Sequence, residues 1–242
     1  MQPKIMSAKP IRSIIVLRHS EGGMEHIELS NRHHLFKFQY PEWDLYLHLI
    51  KGEHRNYLID SGIDHIALEP LLDILASLSK PLVLINSHYH WDHVLGNYAI
   101  PADRIVAHHK TATILSDSWD ALIAEGADYL QTQPPKCMPT ETFFKDCWFE
   151  DDGIYLFHTP GHTVDGISVY DRIEKVLNVG DNLGDDVSHI VPELDLDVST
   201  YIATLDQYAS LEITIMVSGH MGLAQPQIIE AIKEQIASTT NT

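Results

Sequence analysis

Apolar residues recur with two different periods along this chain, and the change of period separates a strand-rich part from a mixed part. Short β-rich stretches bounded by turn signals predict strands at residues 11–18, 34–40, 44–50 and 57–59. Leucines then recur at a helical spacing over residues 68–78, and Lys80-Pro81 ends that predicted helix. The continuous apolar run at residues 82–85 is typical of a strand buried on both faces.

The rest of the chain alternates between strands and helices. The same patterns predict strands at residues 105–107, 154–157, 167–170, 176–179 and 213–217, and helices around residues 114–123, 201–208 and 228–236. Three prolines in residues 131–140 predict an exposed loop. Early strands followed by β/α alternation favour an α/β fold in which two sheets pack together with helices outside.

Length and composition narrow the classes of function. A chain of 242 residues predicts one domain spanning residues 1–242. The 34 acidic and 16 basic residues give a net charge of −18, which repels phosphates, so neither nucleic acid nor an anionic membrane is an expected partner. The sequence has no signal-peptide pattern, no apolar run near the roughly 20 residues of a membrane span, and no disulfide framework. We therefore expect a cytoplasmic protein that acts on a small molecule, and nothing in the sequence indicates a homo-oligomer.

The most informative segment is HYHWDH, at residues 88–93, directly after the predicted strand at residues 82–85. The carboxyl end of a strand is where α/β proteins usually place their sites. Three imidazoles and one carboxylate form a dense set of nitrogen and oxygen ligands. His88 and His90 can point at one ion, whereas Asp92 and His93 point elsewhere, which predicts a second ion.

Three later segments each place one ligand-type residue just after a predicted strand. These residues are His162 in TPGHT, Asp181 in VGDN and His220 in VSGH. A single such residue is usually only part of a loop. All three together with HYHWDH indicate a metal centre.

These motifs resemble those of the metallo-β-lactamase superfamily. The superfamily has an Asp after an early strand, then H-x-H-x-D-H, then His, Asp and His after later strands. This chain has Asp60, residues 88–93, His162, Asp181 and His220 in that order, and the resemblance covers nearly its whole length. Many members carry Gly at the position of Leu95 and Pro at that of Ser218, but neither departure removes a ligand.

The resemblance implies a four-layer αββα sandwich with the site along one edge. It also implies that the first metal is held by His88, His90 and His162. The second metal would be held by Asp92, His93 and His220, and Asp181 would bridge the two. Asp60 would accept a hydrogen bond from a ligand imidazole or a nearby loop group and so fix its orientation.

Two divalent ions in such a site predict hydrolysis. A hydroxide shared between the ions would attack a carbonyl or phosphoryl centre, and Asp92 would orient it and later move a proton to the leaving group. Zinc is the first choice on the resemblance, although iron and manganese also suit imidazole and carboxylate ligands.

The motifs leave three functions open. The first is a binuclear hydrolase of a small ester, thioester, lactone or amide. The second is a mononuclear iron sulfur-dioxygenase-like enzyme, in which His93 and Asp181 would be surplus. The third is a non-catalytic metal-binding protein, which would be expected to lack some ligands.

Two residues are candidates for contact with the substrate. Trp91 either lines the pocket or packs the loop. His189, in the acidic segment of residues 182–198, either donates a hydrogen bond to the substrate or faces solvent. The carboxylates of that segment are either solvated or reject anionic substrates.

Overall fold

Two β-sheets form the centre of the fold. The computed structural model of the chain describes residues 19–21 and 23–240, so the strand predicted at residues 11–18 lies outside the described part. The first sheet contains β1 (His19–Glu21), β2 (Met24–Glu28), β3 (His33–Gln39), β4 (Asp44–Lys51), β5 (Asn56–Ile59), β6 (Leu82–Ile85), β7 (Arg104–His108) and β8 (Glu141–Phe143). The second contains β9 (Asp146–Phe149), β10 (Ile154–His158), β11 (Ile167–Asp171), β12 (Val176–Asn178), β13 (Ile215–Ser218) and β14 (Gly222–Ala224).

Helices cover the outer faces of both sheets. They are α1 (His65–Ala76), α2 (Trp91–Val94), α3 (His109–Glu125), α4 (Val198–Ala209) and α5 (Ile228–Thr240). Leucines of α1 pack on the first sheet, whereas Tyr201 and Leu205 of α4 and Ile232 of α5 pack on the second. The predicted αββα sandwich is confirmed. Among the described residues, no helix is both long and apolar enough to cross a membrane.

The core between the sheets is mainly aliphatic, with Tyr57, Phe143 and Phe149 as its aromatic members. Ile50 and Ile85 of the first sheet pack with Leu156 and Val169 of the second, and all four side chains are fully or almost fully buried. Burial of each such side chain is worth about 1.5–3 kcal/mol. This packing holds the loops at the ends of the strands in fixed positions.

The strand directions explain where those loops meet. Strand β6 pairs in parallel with β5 and β7, and its residues Leu82–Ile85 are all buried, as the continuous apolar run predicted. In the second sheet, β12 pairs in parallel with β13 and runs antiparallel to β11, which in turn runs antiparallel to β10. The backbone N–H of Ile167 donates to the carbonyl of Ser87 at 2.8 Å, so the two sheets touch at the carboxyl end of β6.

Several short or polar elements were not predicted. Strand β2 carries glutamates and a histidine, and β8, β9 and β14 have only three or four residues, too few to establish a period. Helix α1 begins at His65, before its first leucine, because the Asp64 side chain accepts hydrogen bonds from the backbone N–H groups of Ile66 and Ala67.

Candidate metal centre

The loop after β6 carries the HYHWDH motif and turns at once into the short helix α2. The side chains of Asn86 and Asn97 exchange two hydrogen bonds, of 2.8 and 3.0 Å, and thereby tie the start of this loop to the residues that follow α2. His88 lies in the loop, whereas Asp92 and His93 lie on α2. The helix therefore directs them to a different side of the site from His88.

The structure brings all seven predicted ligand residues to one edge of the sandwich, in two groups. The first ligand group offers one nitrogen or oxygen from each of His88, His90, His162 and Asp181, and the second ligand group does so from Asp92, His93 and His220. Within each group these atoms lie within 4.8 Å of one another. The imidazoles divide between the two groups as the family resemblance predicted, and the binding of metal by these residues stays a prediction.

Asp181 lies between the two groups. Its Oδ2 is 3.6 Å from Nε2 of His88 in the first group, and 3.1 Å from Nε2 of both His93 and His220 in the second. A Cβ at Gly219 would lie 2.3 Å from Asp181 Oδ1, so only glycine fits there. The carboxylate is thus within reach of both groups because the chain at Gly219 has no side chain.

Four of the five imidazoles in the two ligand groups have Nδ1 within hydrogen-bonding distance of an oxygen. The partners are Ser87 Oγ for His88 (2.9 Å), Asp60 Oδ2 for His93 (2.9 Å), the Glu193 carbonyl for His162 (2.8 Å) and the Asp44 carbonyl for His220 (2.8 Å). A carbonyl oxygen can only accept, so Nδ1 carries the proton wherever the partner is a carbonyl. A neutral imidazole held in this way directs the lone pair of Nε2 into the site, as a metal ligand must.

Several of the inward-facing atoms have no hydrogen-bond partner. Among the described side chains, buried atoms without a partner include His88 Nε2, His93 Nε2 and Asp181 Oδ1. Nε2 of His93 lies 3.1 Å from Asp181 Oδ2, so two lone pairs would face each other in a neutral ring that has its proton on Nδ1. Such an arrangement is unfavourable unless a cation lies between the atoms. The residues therefore fit divalent cations, which the superfamily fold and this donor set imply.

Burial and the neighbouring carboxylates shift the pKa values of these histidines in opposite directions. Burial lowers the pKa of His88, and it lowers that of His90 to about 4. For His93, burial lowers the pKa, but the carboxylates of Asp181 and Asp92 outweigh it and hold the pKa well above its usual range. Without a cation, a proton on Nε2 of His93 takes the place of the metal charge.

The two carboxylates of the centre are ionised. For Asp92 and Asp181, burial raises the pKa, but the neighbouring His93 and His220 outweigh it and hold both values well below the usual range. Ionised carboxylates are the form that binds divalent cations.

Asp60 lies behind the second group, as the resemblance implied. Its backbone has a φ of 65°, in the left-handed region that Asp tolerates better than most residues. This conformation ends β5 with a turn, and the buried carboxylate then accepts hydrogen bonds from His93 and Ser87.

The two candidate substrate residues lie in different surroundings. Trp91 packs against Gly126, where a Cβ would lie 2.6 Å from its ring, and it stacks on Tyr129 at 5.2 Å. His189 has a side chain that is 78% exposed and lies 3.5 Å from Asp186 in the same loop. A role of either residue toward the substrate stays a prediction.

The acidic segment is attached to the first ligand group. The backbone N–H of Asp195 donates to the carbonyl of His162 at 3.0 Å, and the Tyr89 hydroxyl donates to the Asp195 carboxylate at 3.2 Å. Burial and then the Asp195 carboxylate raise the pKa of Tyr89 to about 12. Negative charge therefore lies beside the candidate metal centre.

Sequence reasoning missed three of the groups that hold the imidazoles. Ser87 directly precedes the HYHWDH motif, and that position was the available signal. The carbonyls of Asp44 and Glu193 carry no signal, because every residue has a carbonyl and only the tertiary structure selects which ones approach a histidine.

Known structures share this fold. A metallo-beta-lactamase from Erythrobacter litoralis is 15% identical, with a TM-score of 0.73 over 91% of this chain and 99% of that one. An archaeal metallo-beta-lactamase superfamily protein from Sulfolobus tokodaii is 21% identical, with a TM-score of 0.62 over 79% of this chain and 80% of that one. At these identities the likeness concerns the fold alone.

Two curated proteins named acyl-coenzyme A thioesterase MBLAC2 are distantly similar. The protein from Gallus gallus is 24% identical over 154 residues, which cover 55% of either chain. The protein from Homo sapiens is 23% identical over 189 residues, covering 67% of this chain and 66% of that one. The matched part thus covers 55% of the Gallus gallus protein and 66% of the Homo sapiens protein.

The sequence model of the metallo-beta-lactamase superfamily matches residues 46–220. The match spans 175 of the 242 residues (220 − 46 + 1) and reaches the last predicted ligand. It agrees with the sandwich fold and with the two groups of imidazoles and carboxylates at its edge. The chain belongs to the metallo-beta-lactamase superfamily.

Proposed function

We propose that this protein is a binuclear metal-dependent hydrolase of small esters, thioesters, lactones or amides. The observation that carries the proposal is the orientation of the imidazoles. Each Nδ1 held by an oxygen leaves an Nε2 directed at one of two adjacent groups of ligand atoms. The buried Nε2 atoms of His88 and His93 have no hydrogen-bond partner, whereas a protein that only buried polar side chains would pair them.

In this proposal the two ligand groups hold two cations. His88, His90 and His162 would hold the first cation, Asp92, His93 and His220 would hold the second, and Asp181 would bridge them, as its distances to both groups support. When bound, two such cations would activate a water molecule and stabilise the charge that develops on the carbonyl oxygen. Zinc is the proposed metal, since it suits imidazole and carboxylate ligands.

Asp92 is the proposed catalytic residue. Its Oδ2 lies 3.3 Å from Nε2 of His220 and 3.4 Å from Nε2 of His93, so this oxygen belongs to the second ligand group. The other carboxylate oxygen is left to orient the attacking water and to hold its proton. That proton then passes to the leaving group.

Thioesters are the first substrates to test, because the two curated relatives are named as thioesterases. The net charge of −18 and the acidic segment beside His162 disfavour a highly anionic carrier. We therefore propose thioesters of small neutral thiols, with lactones and esters as further candidates.

The experiment combines metal analysis with a substrate panel. The protein is stripped with a chelator and reloaded with zinc, iron or manganese. The metal content is then measured by elemental analysis, and each form is assayed against thioesters, lactones, esters, β-lactams and phosphodiesters. We expect two ions per chain and turnover of a carbonyl substrate.

Two outcomes would contradict the proposal. One iron per chain, with oxygen consumed in the presence of a persulfide, would favour the dioxygenase alternative. Two bound metals without turnover of any substrate in the panel would favour a non-catalytic metal-binding protein.

A further inference from the structure

Ser87 lies between a ligand imidazole and the carboxylate behind the other ligand group. Its hydroxyl is 2.7 Å from Asp60 Oδ2 and 2.9 Å from His88 Nδ1. The residues Ser87, Asp60 and His88 are each at most 2% exposed.

The partners determine the direction of these hydrogen bonds. The Ser87 hydroxyl donates its single proton to the carboxylate oxygen Oδ2 of Asp60. The Ser87 oxygen is then free to accept, and it accepts the proton on Nδ1 of His88. The Nε2 lone pair of His88, which is buried and has no partner, is thereby directed into the first ligand group.

The same oxygen of Asp60 also accepts a hydrogen bond from a residue of the second ligand group. Asp60 Oδ2 accepts from His93 Nδ1 at 2.9 Å, while Oδ1 accepts from the backbone N–H of Ser87 at 2.7 Å. One carboxylate oxygen therefore sets the tautomer of His93 directly and that of His88 through the Ser87 hydroxyl.

We propose that Ser87 is a positioning residue that couples the two metal-binding groups through Asp60. The proposal rests on the binuclear function proposed above. Without the hydroxyl, Nδ1–H of His88 loses its acceptor, and the ring can move its proton to Nε2, where it blocks metal binding. Asp60 Oδ2 also loses a donor, so the hydrogen bond to His93 becomes less well fixed.

The test is a zinc titration of the metal-free protein in competition with a chromophoric chelator. Loss of a group that orients a metal ligand typically lowers metal affinity by about 10- to 100-fold. We expect Ser87→Ala to lower the zinc affinity of the first ligand group, which contains His88, by that factor. The zinc affinity of the second ligand group should fall by a smaller factor. In a double-mutant cycle, Ser87→Ala combined with Asp60→Asn should bind zinc little worse than Asp60→Asn alone, because both act through one chain of hydrogen bonds.

Ser168→Ala is the matched control. Ser168 is also fully buried, and its hydroxyl bonds Tyr208 on α4 (2.7 Å) and Thr159 (2.9 Å) rather than a ligand. It should lower the melting temperature of the metal-free protein without changing either zinc affinity. Equal zinc affinities for Ser87→Ala and wild type, or equal losses in Ser87→Ala and Ser168→Ala, would overturn the proposal.

A second measurement needs no variant. Two-dimensional nitrogen NMR of the zinc-loaded wild-type protein reports which ring nitrogen carries the proton. We expect Nδ1–H on both His88 and His93, and a proton on Nε2 of His88 would overturn the proposal. If wild-type protein bound no zinc, the proposed function itself would fail, whereas normal binding with unaffected Ser87→Ala would remove only the role of Ser87.

Discussion

At the scale of single residues, Asp92 and Asp181 are both buried carboxylates but have different neighbours. Asp181 Oδ2 lies within 4 Å of imidazoles from both ligand groups, whereas Asp92 Oδ2 lies 3.4 Å from Nε2 of His93 and 3.3 Å from Nε2 of His220, both in the second group. One carboxylate is therefore suited to bridge two cations, and the other to act at one of them.

Asp92→Asn should lower turnover far more than it lowers stability. Asparagine keeps the shape and one oxygen but removes the charge that orients the water and holds its proton. Loss of a general acid–base group costs about 10²–10⁴-fold in rate, and we expect a fall in kcat of this size. The measurement is kcat on the best substrate of the panel, together with metal content and a thermal melt. Unchanged kcat with both metals bound would make Asp92 a structural residue.

Asp181→Ala should weaken metal binding and not only slow the chemical step. The change removes the negative charge between two cations, so their mutual repulsion rises and at least one should be lost. We expect elemental analysis after gel filtration to fall from two ions per chain to one or fewer. Retention of two ions at wild-type affinity would show that Asp181 does not bridge them.

At the scale of elements, the segment between β12 and α4 places carboxylates beside the site. Its backbone is hydrogen-bonded to His162, through the carbonyl of Glu193 and the N–H of Asp195, so its position is fixed relative to a residue of the first ligand group. The charges near Tyr89 that raise its pKa are all carboxylates, Asp195, Asp165 and Glu125, and they act in addition to burial.

If the proposed thioesterase activity holds, Asp195→Asn should therefore make the protein more tolerant of an anionic thioester. We expect the kcat/KM for an acyl-coenzyme A, relative to the same acyl group on a neutral thiol, to rise by about two- to tenfold at low salt. The increase should shrink in 1 M salt, where the Debye length is about 3 Å. Asp120→Asn, on the exposed face of α3, is the control and should leave the ratio unchanged. An equal ratio in both variants would show that the segment does not select against anions.

At the scale of the whole molecule, stacked histidines connect the two sheets. His108 ends β7 of the first sheet and His158 ends β10 of the second, and their rings are parallel at 4.1 Å. Nε2 of each ring lies within 3.0 Å of a backbone carbonyl and therefore carries a proton, which leaves Nδ1 as the atom that a second proton would bind. Burial and the neighbouring His158 lower the pKa of His108 to about 4, and only the hydrogen bond to the Phe144 carbonyl opposes this.

This shift predicts that the protein loses stability in mild acid. Between pH 6.5 and about 4 the unfolded chain binds a proton at His108 that the folded protein does not, so the free energy of unfolding falls as the pH falls through this window. His108→Gln can still donate to the Phe144 carbonyl but cannot be protonated. Its unfolding free energy should be lower at neutral pH, because the ring stack is lost, and should depend less on pH. Urea unfolding of both proteins from pH 7 to pH 4 is the measurement, and parallel curves would contradict the assignment.

Most strands and helices could be predicted because each carries its own periodic signal. The apolar run of β6 and the helical leucines of α1 are examples, and both form where the pattern predicts them. Strand β14, with three residues, and the polar strand β2 were missed, because such elements form only when a neighbouring strand supplies their hydrogen bonds.

By itself, the sequence determined the chemistry available to this protein. Ligand-type residues after apolar strands identify a metal centre, because those side chains have few other reasons to recur at strand ends. Only the tertiary structure decided how the ligands are held. Ser87 is adjacent to His88 in the sequence, whereas the carbonyls of Asp44 and Glu193 lie far along the chain from the imidazoles of His220 and His162 and approach them only in the folded protein. A tautomer is set by whichever acceptor lies within about 3 Å of a ring nitrogen, and that distance is a property of the fold.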